Sequence, residues 1–166
     1  MIRYFGLPLL LLAAVLQVTV MPEFRIGDGG PDLVLMMGLS WTLLAGMDEG
    51  LIWVIFGGLL LDVLQGTPLG VVALALVVAV SVPGIALGQI GRGSALLPAL
   101  AVFVATGIYH LVLIVLYIII GNPVDIGHTL MNVTLPTTVF NAVLMIPVYR
   151  LLGVVYTATR PPGVTG

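Results

Sequence analysis

Apolar residues run along this chain in long blocks, broken by short polar or glycine–proline interruptions. Blocks of this length predict helices, and the strict alternation of a strand is absent. The first block, about residues 4–21, stops at Pro22, and the polar, turn-rich stretch "PEFRIGDGG" follows. The second opens at "PDL", where Pro31 suits a first helical turn and Asp32 meets the positive end of the helix dipole. It runs to about Gly46, then an acidic connection, "GMDEG", leads to a third block at about 51–65. Both look short for a bilayer, the second covering only about 22 Å of about 30 Å of hydrocarbon. The fourth block starts at Thr67 and Pro68, an N-cap and first-turn pair, and reaches about residue 89, with a kink expected at Pro83-Gly84. "GQIGRGS" reads as a hinge, with Ser94 capping a tilted fifth block at 95–120 that "GNP" ends. Half-polar residues 124–133 are expected at the membrane interface, and the sixth block, about 136–156, contains Pro147. The pattern predicts an all-α, polytopic transmembrane bundle of about six spans. Residues 1–157 form its one domain, and 158–166 a disordered tail.

Composition decides the solvent. Hydrophobic residues make up 60% and charged residues 7%, with a mean hydropathy of +1.26. Soluble domains carry about 25% charged residues, so the bilayer must surround this chain. The N-terminal stretch has the charge-then-apolar order of a signal peptide, but no A-x-A-like site follows it, so it reads as an uncleaved first span. With six spans and both termini cytoplasmic, Arg3, Arg92, Arg150 and Arg160 lie inside and only Arg25 outside, satisfying the positive-inside rule. A net charge of −2 and no nucleotide-binding fingerprint argue against nucleic acid as a partner. There is no cysteine and no G-x-S-x-G or H-E-x-x-H pattern, so no catalytic, cofactor or metal site is expected.

Polar intruders in the apolar blocks are the candidate functional residues. Asp62 falls in the last turn of the third block, at the negative end of the helix dipole and with no lysine in the sequence to pair with. A carboxylate in lipid costs a few kcal/mol or more unless paired or protonated. The following "QGTPLG" offers relief: Gly66 suits a left-handed helix end, and amides and the hydroxyl from Thr67 to Gly70 are placed to bond back. This structural reading is preferred, and a proton, ion or partner site is the alternative. His110 falls at similar depth, so a His–Asp contact is a second option, with a hydrogen bond between helices preferred. Asn141 should seek an interhelical partner, and Arg150 should reach the inner interface. Asp125 and His128 read as solvated, and Trp41 as packed between helices.

The stretches "PDLVLMMGLSW", "GLLLDVLQGTPLG" and "LPTTVFNAVLMIPVYRLL" together resemble MreD, the bacterial rod-shape-determining membrane protein. The D-x-x-x-G-x-P-x-G run, Asp62, Gly66, Pro68 and Gly70, is the most specific piece. Pro31-Asp32 and the series Pro136, Asn141, Pro147 support it, with Tyr149 following. The acidic "GMDEG" departs from a loop that is often basic in that family. The resemblance implies a non-catalytic scaffold of the peptidoglycan elongation complex in the bacterial cytoplasmic membrane. Its implied partner is the single-span protein MreC, and through MreC the MreB filament, a RodA-type glycosyltransferase and a class B penicillin-binding protein. The family is also similar in architecture to the substrate-binding subunits of energy-coupling-factor transporters, which makes a small-solute-binding subunit the runner-up.

Overall fold

Local chemistry sets where each helix starts and stops in the computed structural model, which describes residues 2–87 and 96–159. Arg92, Ser94, Arg160, the side chain of Arg3 and the 160–166 part of the expected tail lie outside the described residues. Helix α1 (Ile2–Thr19) leads into a tight 3-10 turn, Met21–Phe24, with Pro22 at its start. Asp32 is extended, and its carboxylate accepts the Leu35 amide at 3.0 Å, so it N-caps α2 (Leu33–Ala45). Pro31 therefore stands before the helix instead of in its first turn. A side chain that satisfies an orphan amide fixes the start more firmly than proline does.

Gly46, at φ 104°, ends α2, and α3 (Met47–Gln65) begins at once. "GMDEG" is thus not a connection. Asp48 and Glu49 lie in the first turn of α3, where acids complement the helix dipole. With 19 residues, α3 covers about 28 Å and is not the short span expected. Helix α4 (Val71–Leu87) starts later than Thr67-Pro68 suggested and continues through Pro83. Helix α5 (Leu96–Ile120) stops at Gly121, φ 88°. Helical residues Ile126–His128 and a π-helical segment, Thr129–Thr134, run into α6 (Leu135–Thr159). Most of the half-polar 124–133 stretch is therefore the start of one 34-residue helical run, Ile126–Thr159. The run also carries two residues into the stretch expected as tail.

The described residues are helical throughout, apart from connections and one isolated bridge between Ile26 and Gly29. Two stretches, Leu96–Ile120 and Ile126–Thr159, are long and apolar enough to cross a membrane; Leu33–Ala45 and Val71–Leu87 are shorter apolar helices. Helix α2 is the axis of the bundle. Residues 34–44 are all buried, as expected for a helix apolar on every side. It touches α1, α3, α4, α5 and α6. Glycines bring the helices close: a Cβ on Gly58 of α3 would meet the Ala73 backbone of α4, and one on Gly50 would meet Thr42 of α2. Outward faces carry exposed Leu100, Phe103, Leu111 and Ile118 on α5 and Val139, Val143, Leu151 and Val154 on α6.

Candidate functional site: the α3–α4 bend and a buried polar network

Asp62 is fully buried and fully engaged. Its Oδ1 accepts the Thr67 hydroxyl at 2.8 Å and the Val72 amide at 2.9 Å. Its Oδ2 accepts the Gly70 amide at 2.8 Å and, at 3.4 Å, that of Ala73. The backbone carbonyl of Asp62 takes the Gly66 amide and, at 3.0 Å, that of Thr67. A carboxylate at the end of one helix therefore caps the start of the next, supplying acceptors for amides that have no partner within α4. Thr67, expected to cap α4 itself, gives its hydroxyl to Asp62 instead. Gly66 at φ 69° and Gly70 at φ 97° make the tight return, in a backbone region that other residues enter only under strain. Pro68 lies between them, in the turn.

A second set of buried polar groups ties α1, α2, α5 and α6. The Asp32 amide donates to Asn141 Oδ1 at 2.8 Å, while Asn141 Nδ2 donates to the Thr106 hydroxyl at 3.0 Å. The Thr106 hydroxyl in turn donates to the Val102 carbonyl at 2.7 Å. Gln17 accepts the Val34 amide at 2.8 Å. Asn141 thus occupies one site as acceptor and donor, satisfying two other helices.

Asp62, His110 and Asn141 do not converge on one site. His110 makes no hydrogen bond to Asp62. Its Nδ1 is buried and has no hydrogen-bond partner among the described residues. His110 instead lines a cavity of about 360 Å³ at the end that carries the α1–α2 connection, with Asp32, Gln17, Tyr109, Tyr117 and Arg25. Asp62 and Asn141 do not line it. Arg150 and Pro147 are exposed on α6.

Three features escaped the sequence reading. His128 and Asp125 are not simply solvated: His128 Nε2 meets Asp28 Oδ2 at 2.7 Å, and Asp125 accepts the His128 amide at 3.0 Å. Trp41, buried as expected, stacks on Trp53 with ring centroids 4.6 Å apart, and its Nε1 donates to Glu49 at 3.3 Å. The cavity is the third. Its signal was the recurrence of Tyr109-His110, Leu113-Ile114 and Tyr117 along one stripe of α5.

A family model described as rod shape-determining protein MreD matches residues 1–156, which include the whole of the Asp62 bend and the Asp32–Asn141 pair. The chain belongs to the MreD family. MreD proteins are membrane proteins that determine rod shape, and that family is not one of enzymes. No curated protein and no solved structure matches the chain.

Proposed function

We propose that the chain is a non-catalytic integral scaffold of the cell-elongation machinery that docks the membrane helix of MreC. It crosses the bacterial cytoplasmic membrane six times, with both termini cytoplasmic. The observation that carries this reading is the Asp62 bend. The fully buried Asp62 carboxylate is spent on four hydrogen bonds that lock α3 to α4, so it serves a fixed shape instead of a reaction. The apolar outer faces of α5 and α6 suit both lipid and a partner's single span. The proposed topology puts Arg25, in the α1–α2 connection, outside and Arg150, in the second half of α6, inside, following the positive-inside bias. Through MreC the scaffold would reach MreB, a RodA-type glycosyltransferase and a class B penicillin-binding protein.

Detergent extraction and affinity purification of MreC from membranes tests the reading. The chain should co-purify with MreC and be absent when the MreC membrane helix is replaced by an unrelated one. Loss of association in the unaltered pair would contradict it. The cavity is the one observation that favours a small-solute-binding subunit. Of the three polar groups that reading relied on, only His110 lines it.

A further inference from the structure

The cavity at the α1–α2 end has a chemistry that a lipid-facing scaffold does not require. On α5 its wall runs from Tyr109 and His110 through Ile114 to Tyr117, about 12 Å of helix. Its interior holds a buried carboxylate, Asp32, 6% exposed, with one oxygen on the Leu35 amide and a further bond from Gln17. His110, 7% exposed, holds the one buried side-chain polar atom left without a hydrogen bond among the described residues, Nδ1. Arg25 is exposed and forms no ion pair among the described residues, whereas Asp28, also in the lining, is taken up by His128. That leaves one uncommitted cation and one buried carboxylate, together with two aromatic rings.

We propose that this pocket seats a head group in which a primary ammonium adjoins a phosphate. The ammonium lies by Asp32 between Tyr109 and Tyr117, and the phosphate lies against Arg25. Three N–H donors suit the Asp32 carboxylate, and tyrosine rings attract a cation. The planar guanidinium pairs with phosphate oxygens. A purely anionic head would be set against Asp32, and a trimethylated one would have no N–H to give. Neither MreC docking nor the direction of the chain through the bilayer enters the assignment.

Native mass spectrometry of the full-length protein in detergent tests it. The lipid probes are phosphatidylethanolamine, phosphatidylglycerol and phosphatidylcholine of matched chains, and the soluble probe is free O-phosphoethanolamine. Phosphatidylethanolamine should be retained about tenfold better than phosphatidylglycerol, and better than phosphatidylcholine. Arg25→Gln, at an exposed position that leaves the fold alone, should lower that retention about tenfold. Displacement by free O-phosphoethanolamine would assign the site to a soluble ligand, and resistance to it would assign the site to lipid; either outcome keeps the ammonium–phosphate chemistry. Equal retention of phosphatidylethanolamine and phosphatidylglycerol, or retention unchanged in Arg25→Gln, would overturn the proposal.

Discussion

Each oxygen of Asp62 receives at least one donor, and this sets how its substitutions must behave. In Asp62→Asn, one oxygen becomes an NH2 group facing backbone amides or the Thr67 hydroxyl, donor against donor. An asparagine that imitates a protonated acid would leave the stability of a proton-carrying site intact while stopping the proton; here it should destabilise about as much as alanine. The expected loss for either is on the order of 1–3 kcal/mol, read from thermal unfolding in detergent. Asn141→Leu should cost a similar 1–3 kcal/mol, because it leaves the Asp32 amide without its acceptor. Thr106→Val, which keeps the shape and removes Asn141's acceptor together with the hydroxyl's bond to Val102, should cost less in the same assay. The two sites differ in how far the sequence exposes them. The donors to Asp62 lie 5 to 11 positions downstream, so its role is legible from the glycine–proline turn that follows. Asn141 meets Asp32 across 109 positions and Thr106 across 35, and no local pattern names those partners.

Helix ends obey capping chemistry more closely than hydrophobic blocks suggest. The apolar pattern identified six helices, but Asp48 and Glu49 read as loop because they are charged. Their placement over the positive end of α3 makes them helical. The start of α4 was misplaced for a related reason, since its cap comes from Asp62 in the preceding helix and not from Thr67. Gly66→Ala and Gly70→Ala should each cost about 1 kcal/mol through backbone strain alone, since a Cβ at either position meets nothing within 4 Å. Gly58→Ala should act differently. Its Cβ would push on the Ala73 backbone, so α3 and α4 must separate, and overpacking of this kind costs about 1–3 kcal/mol. A thermal-unfolding series of the three variants separates strain from packing: the Gly58→Ala defect should exceed the other two and should persist when combined with Ala73→Gly, which leaves the Ala73 backbone in place.

At the scale of the molecule, charge content and block length make the all-helical membrane bundle legible before any coordinate. The cavity was not, because residues of α1, α3, α5, the 126–159 helical run and two connections meet around it, and only its α5 wall is a sequence stripe. The bundle is tied at two places by polar bonds, the Asp62 bend and the Asp32–Asn141–Thr106 set, and its exposed faces are apolar. On the proposed scaffold reading, such a body keeps one shape for a neighbour in the membrane. The most direct measurement pairs two readouts on one variant: melting temperature in detergent and co-purification with MreC for Asp62→Asn, at several temperatures. The account predicts a lowered melting temperature, with MreC retained below it and lost as the bundle unfolds. An unchanged melting temperature with MreC lost at every temperature would make Asp62 a contact instead of a staple and contradict the account.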